Sequence, residues 1–325
     1  MNSPVIAVLT AEGEPLPPGL EAIAERAELR LANSRERLEA ALPGAEILLV
    51  TDFRTEMLEA CWDQADALRW IHATSAGVDA LMFPRLRDSD IPVTNARGIF
   101  DRPIAEFVLG VVLAFAKDLP ASVRYQDRGE WVHRDTQSVR GRRALIVGAG
   151  AIGRQIGRLL AAAGLEVDAV ARTARGDDPD FGRIHAQDDL LEHLPEADFV
   201  VVAAPLTEAT RGLFDLRAFS AMNPEARLIN IGRGPIVVTG DLVAALREGA
   251  IAGAALDVFE EEPLPPEHPL WRFPQAILTA HMAGDVVGWR EALIEQFLGN
   301  LYRWEAGEAL ENVVDKGRGY VPPPR

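Results

Sequence analysis

Ala144–Val147 is a short apolar run, Gly148-Ala-Gly150-Ala-Ile-Gly153 follows it directly, and Arg154–Ala163 continues as a helix-like stretch. A strand, a glycine-rich turn and a helix in that order read as the first βα unit of a dinucleotide-binding sheet. Gly148 can make the tight turn, Gly150 lets a pyrophosphate approach the backbone, and Gly153 lets helix and strand pack closely. The N–H groups and positive end of the helix favour a diphosphate. Glycine-rich turns are common by themselves, so the following residues carry the weight. Further strand-like runs occur at Glu166–Val170, Phe199–Ala203, Arg227–Ile231, Ile251–Leu256 and Ile277–Thr279. Helical stretches such as Asp215–Ala221 and Gly240–Glu248 separate most of them. Six strands predict a complete doubly wound parallel sheet.

The chain has 325 residues, room for two domains of ~150 residues. The first hundred read as a smaller α/β unit. Val5–Leu9, Glu46–Val50 and Trp70–Ala73 are apolar runs, whereas residues 20–42 and Thr55–Ala67 have helical periodicity. Ile104–Ala116 is the longest apolar stretch, too short to span a bilayer and interrupted by Glu106, so it reads as a buried helix that starts near Pro103. The dinucleotide unit ends near residue 285. The amphipathic stretch Trp289–Trp304 is therefore expected to return to the first unit, ahead of a loose Pro-rich end at Val321–Arg325.

Acids outnumber Lys and Arg by 49 to 33, for a net charge of −16. Such a surface repels phosphate backbones and anionic lipid, which argues against nucleic-acid or membrane partners. A lone cysteine, Cys61, can form neither an internal disulfide nor a Cys-based zinc site, and no metal site is expected. The N-terminus lacks the basic and apolar regions of a secretion signal. A cytoplasmic protein is the expectation.

Cofactor choice should be made at the end of the second strand. An NAD site usually carries an acid there, ~20 residues beyond the glycines. This chain reads Ala171-Arg172-Thr173-Ala174-Arg175, and the nearby Asp168 falls mid-strand. Arg172, Thr173 and Arg175 suit a 2′-phosphate, which predicts NADP(H) over NAD(H).

Of six histidines, His281 stands out, because Thr279-Ala-His-Met-Ala-Gly284 places it among small residues just past the last strand. That is the ligand edge of such a sheet. Arg233 lies just past the fourth strand, and Asp257 and Glu262 lie just past the fifth. Reducing a 2-oxo acid needs an anchor for its oxygens, a proton donor and a hydride. Arg233 can bind the oxygens, His281 can donate the proton, Glu262 can stabilise the imidazolium, and a nicotinamide carries the hydride. Glu260 and Glu261 read as a solvated acidic loop.

Taken together, Ser75-Ala-Gly-Val-Asp79, Pro103-Ile-Ala-Glu106, the glycine motif, Pro205-Leu-Thr207 with Thr210, Ile229 to Gly234, Ala255-Leu-Asp-Val-Phe259, Glu262-Pro263 and His281 resemble the D-isomer-specific 2-hydroxyacid dehydrogenase family. That family includes glyoxylate/hydroxypyruvate reductases and phosphoglycerate dehydrogenases. The resemblance implies two lobes with the active site between them. Residues 101–285 would form the Rossmann-type NAD(P)-binding lobe, and residues 1–100 with 286–325 a smaller flavodoxin-like, substrate-binding lobe. It implies Arg233, Glu262 and His281 as the catalytic set. The backbone of Ser75, Ala76 and Gly77 would meet the substrate carboxylate beside Arg233 and His281. Cofactor contacts would come from Gly148, Gly150, Ala151, Ile152, Gly153, Arg172, Thr173, Arg175, Pro205, Thr210, Ile231, Gly232, Asp257 and Gly284, with Asp257 on the nicotinamide carboxamide. Family members are commonly dimers, so a homodimer is expected.

Ala280 stands where the family usually has Pro before the histidine, and Ala171 replaces the ribose acid. Phe100 lies where some reductase-like members carry a polar residue. The Glu262–His281 combination argues against the related formate dehydrogenases, which lack it. No Lys or Arg cluster marks a phosphate pocket near residues 75–79. The expected substrate is an unphosphorylated small 2-oxo acid, with glyoxylate, hydroxypyruvate and larger acids all open. A nucleotide-sensing binding protein or corepressor, or an oxidoreductase of another small anion, remains the alternative on this scaffold.

Overall fold

Strands that alternate with helices pair in parallel, because each crossover returns the chain to the same end of the sheet. The computed structural model, which describes residues 3–52 and 57–322, contains two such sheets. Each belongs to its own compact unit, one formed by Met1–Phe100 with Val286–Arg325 and the other by Asp101–Asp285.

The first unit begins with β1 (Val5–Leu9), α1 (Leu20–Ala24), β2 (Glu28–Ala32), α2 (Arg35–Ala41) and β3 (Ile47–Val50). It continues with α3 (Met57–Ala60), β4 (Trp70–Ala73), α4 (Pro84–Arg87) and β5 (Val93–Asn95). The strand order β2-β1-β3-β4-β5 is the flavodoxin-like arrangement. Every residue of β3 and β4 is buried, as expected for parallel strands covered on both faces. Two differences from the sequence reading stand out. Residues 20–42 are not one helix, because β2 interrupts them and pairs with β1 from Val5↔Glu28 to Leu9↔Ala32. Glu, Leu, Arg and Ala favour helix only weakly, and five residues of ladder bonding outweigh that preference. Ser34 then starts α2 by accepting a hydrogen bond from Arg37 N. The three-residue β5 lacks the length to register as a periodic run. Of the helical stretch read at 55–67, Thr55 and Glu56 lie outside the described residues, as do 323–325 of the tail. The remainder holds only α3 and a 3₁₀ turn at Trp62–Gln64.

The second unit contains α5 (Asp101–Ala116), α6 (Leu119–Asp127), β6 (Arg143–Val147), α7 (Ala151–Ala162), β7 (Glu166–Ala171), β8 (Ile184–Ala186) and α8 (Leu190–His193). It goes on through β9 (Phe199–Val202), α9 (Leu216–Ala221), β10 (Arg227–Asn230), α10 (Thr239–Glu248), β11 (Gly253–Leu256) and β12 (Ala276–Leu278). The sheet has seven strands in the order β12-β11-β10-β9-β6-β7-β8, not six. β8 was hidden because it is only three residues long. Asp168 secures it by accepting from Arg183 N (2.9 Å) and lying 3.3 Å from His185 Nε2. Alternate residues serve the two faces. Ile146, Val201 and Ile229 share a core with Val108, Val112, Ile156 and Leu160. Leu145, Val200 and Leu228 share another with Phe219, Leu242 and Leu246. Among the described residues, no helix is long and apolar enough to cross a membrane.

The last helix, α11 (Trp289–Ala306), belongs to the first unit and packs Ile294, Phe297 and Leu301 against Ile6, Leu49 and Trp70. His72 is fully buried in that sheet beside the rings of Trp70 and Phe297. Its Nδ1 hydrogen-bonds with Thr94 Oγ1 at 2.8 Å, but Nε2 has no partner. Burial pushes this imidazole down to about 3. The unfolded chain, with an ordinary histidine value of ~6.5, therefore binds more protons between those limits. Stability should be unaffected above the unfolded value and fall as the pH drops toward the folded one. Between pH 6.5 and 4 the expected loss from His72 is about 3 kcal/mol. Denaturant unfolding of the wild type and His72→Leu at both pH values checks this. An identical acid loss in the two proteins would exclude His72 as a source.

Candidate active site

In the second unit, the carboxyl ends of the parallel strands carry the predicted groups. β6 runs straight into the glycine turn. Gly148 has φ +118°, and a Cβ there would sit 2.7 Å from backbone of Ala203 and Ala204. A Cβ on Gly153 would come 1.9 Å from Gly148 O, so neither position accepts a side chain. The helix begins at Ala151, three residues earlier than its periodicity suggests, and Ala151, Ile152 and Gly153 form its first turn. Gly150 is its N-cap and no side chain caps it. A Cβ built on Gly150 meets nothing within 4 Å. An uncapped twelve-residue helix facing open space is a donor set that fits a diphosphate.

Arg172, Thr173 and Arg175 are exposed beyond β7, and Arg175 exchanges backbone hydrogen bonds with Ile184. Nearby acids are already paired, Asp178 and Asp180 with Arg154, and Asp180 also with Arg158. The hydrogen bond from Arg154 holds Asp178 below the usual carboxylate range. Beyond β9, Pro205 is exposed but the Thr210 hydroxyl is turned inward. It donates to Pro205 O (2.7 Å) and accepts from Thr207 N (2.8 Å), so it shapes the loop. Ile231 and Gly232 are buried beyond β10 and Gly284 is buried beyond β12.

Arg233 is half-buried, with one N–H donating to Gly232 O (2.9 Å). Its loop is pinned by the buried Asn230, whose Oδ1 accepts from Gly232 N and whose Nδ2 donates to Arg233 O. Glu262 and His281 are in contact, 2.8 Å from Oε2 to Nδ1, with side chains 22% and 29% exposed. Glu262 Oε1 accepts from Phe259 N (2.9 Å). Burial pushes Glu262 upward. The hydrogen bonds from His281 and Phe259 N, with the charges of His281 and Arg233, outweigh it and leave the carboxyl below its ordinary value. Nδ1–H donating to an ionised Glu262 assigns the other ring nitrogen, Nε2, to any ligand.

One expectation needs revision. Glu260 is not simply solvated, because its Oε2 accepts from Thr239 N at the start of α10 (3.1 Å). Asp257 is only 3% exposed, and its side-chain oxygens accept from Thr279 Oγ1, Met282 N and Ala283 N. Its contacts lie in the turn that carries His281. Asn230 and Thr279 were given no role from sequence. For Asn230 the available signal was a polar residue closing a buried strand.

In the first unit, the Ser75–Gly77 loop follows β4. Ala96 N donates to Ser75 O, Asn95 Nδ2 to Ala76 O and Ser75 Oγ to Gly77 O. Asn95, also unremarked in the sequence, thus closes β5 and braces this loop.

The family model for the NAD binding domain of D-isomer specific 2-hydroxyacid dehydrogenases matches residues 109–283. The chain belongs to the D-isomer-specific 2-hydroxyacid dehydrogenase family. A glyoxylate reductase of Thermofilum pendens is 32% identical over 290 residues, 87% of this chain and 85% of that protein. A family member from Xanthobacter autotrophicus, solved with NADPH and MES, has a TM-score of 0.81 at 31% identity and covers 98% of this chain and 100% of its own. An NADPH-dependent glyoxylate/hydroxypyruvate reductase of Sinorhizobium meliloti, solved with NADP and sulfate, has a TM-score of 0.83 at 28% identity, with 98% and 100% covered. This dehydrogenase is an NAD(P)-dependent oxidoreductase acting on CH–OH donors, and in the reverse sense it reduces a 2-oxo acid.

The open space at Gly150 gives a direct test of the turn. In Gly150→Ala the added Cβ has no protein atom within 4 Å but enters the space a diphosphate needs. The thermal midpoint should hold while NADPH affinity falls by ~10-fold or more, an expected ~1.4 kcal/mol. Full-strength binding measured by calorimetry would remove the turn from the cofactor site.

Proposed function

We propose that this dehydrogenase reduces a small, unphosphorylated 2-oxo acid of the glyoxylate or hydroxypyruvate type to the D-2-hydroxy acid, with NADPH preferred. The observation that carries this reading is the Glu262–His281 hydrogen bond, with Arg233 close enough for its charge to depress the Glu262 carboxyl. A bound reduced nicotinamide supplies the hydride, and the residues suited to holding it are those of the glycine turn and the later strand ends. Arg233 offers a planar fork that fits a carboxylate or a carboxylate and carbonyl together. His281 presents Nε2 to the carbonyl oxygen and delivers a proton there as the alkoxide forms. Glu262 fixes the ring through Nδ1 and stabilises its protonated form before transfer. Names of relatives support the substrate class, and the absence of Lys or Arg between Ser75 and Leu81 supports an unphosphorylated acid.

The cofactor preference rests on the end of β7. Ala171 leaves out the acid that would repel a 2′-phosphate, and Arg172 is exposed without an ion pair among the described residues. The neighbouring Asp178 and Asp180 are neutralised by Arg154 and Arg158. Two solved relatives carry NADPH or NADP. A substitution pair, Ala171→Asp with Arg172→Ala, should lose NADPH affinity and spare NADH. Unchanged discrimination between the two in parallel titrations would sink the preference.

His281→Gln should lower turnover of glyoxylate or hydroxypyruvate by ~10²–10⁴-fold while cofactor affinity holds. Glu262→Gln keeps the side chain's shape but removes the negative charge 2.8 Å from His281 Nδ1, so turnover should fall there too while cofactor affinity holds. Steady-state rates check both variants. Wild-type turnover in either would contradict the roles assigned.

A further inference from the structure

His281 has φ +51°, in the left-handed region that residues with a Cβ avoid. Three consecutive amides of this turn point at a single residue. His281 N donates to Asp257 O (2.8 Å), Met282 N to Asp257 Oδ1 (2.9 Å) and Ala283 N to Asp257 Oδ2 (2.9 Å). Thr279 Oγ1 adds a fourth bond, 2.5 Å to Oδ1. Asp257 is 3% exposed, so these bonds form away from water. Buried amides that face a carboxylate make strong bonds and are costly to orphan. We propose that Asp257 is a positioning residue that holds His281 in its left-handed conformation, so that Nδ1 meets Glu262 and Nε2 is aimed at the substrate carbonyl. This rests on His281 being the proton donor. Three donors occupy the carboxylate, two on Oδ1 and one on Oδ2, which leaves Oδ2 one further acceptor site.

Asp257→Asn is nearly isosteric but defeats the clamp. Whichever way the amide turns, its NH₂ faces a backbone N–H and one turn amide loses its acceptor. The test is a cycle of wild type, Asp257→Asn, His281→Gln and the double variant, assayed with NADPH and glyoxylate or hydroxypyruvate. Asp257→Asn should lower kcat by ~30-fold or more with a small change in KM, since displacements of ~1 Å can cost ~10²-fold. In the His281→Gln background the same change should cost less than ~3-fold. Thr279→Val, a milder cut in the same clamp, should repeat the pattern at ~3–10-fold if Asp257→Asn folds poorly. In the cofactor-free protein, amide exchange at Met282 and Ala283 should accelerate in Asp257→Asn. Equal kcat losses in both backgrounds or unchanged exchange would each overturn the proposal. A His281→Gln variant with full kcat would instead overturn the donor assignment, while the exchange readout would still report on the clamp.

Discussion

All neighbouring strands of the seven-stranded sheet run parallel, so the carboxyl ends of β6, β7, β9, β10, β11 and β12 emerge on one edge. That constraint organises the chemistry of this dehydrogenase. Residues separated by more than a hundred positions, from Gly148 to His281, share that edge without any local sequence rule bringing them together. Strands β9, β10 and β11 behind it are apolar on both faces and carry polar side chains only at their ends. Asn230 and Asp257 stand at such ends, and Arg233 and His281 each lie three residues beyond a strand terminus.

The polar groups on this edge support one another in series. Glu262 is steadied by Phe259 N on one oxygen and bonds His281 on the other. The Asp257 carboxylate accepts from the two amides that follow His281, and Asn230 ties the arginine loop by accepting from Gly232 N and donating to Arg233 O. A buried polar group is tolerable only when its bonds are made. Satisfying these groups therefore fixes the loops, and fixing the loops orients the imidazole and the guanidinium.

Much of the fold was legible because parallel strands with both faces covered read as continuous apolar runs. β1, β3, β4, β6 and β9 all follow that pattern. β2 did not, since an edge strand rich in Glu, Leu, Arg and Ala is indistinguishable from helix until its partner β1 is known. The short β5 and β8 carry too few residues for a period. In the site, the residue types at the strand ends were visible. The inward hydroxyl of Thr210, the helix contact of Glu260 and the brace from Asn95 were not, because each depends on a partner set by the turn rather than by spacing.

By itself the sequence determined the glycine turn, the parallel architecture and the arginine, glutamate and histidine that the strand ends carry. These follow from local sterics and from burial patterns that repeat every two or three to four residues. Only the tertiary structure decided that Glu262 meets His281, that Asp257 serves the histidine turn, and that His281 takes a left-handed backbone. Hydrogen bonds between loops on different strands depend on ångström-scale placement and on exclusion of water. Neither is encoded in the identity of any one residue; both arise when the sheet assembles and its ends are brought together.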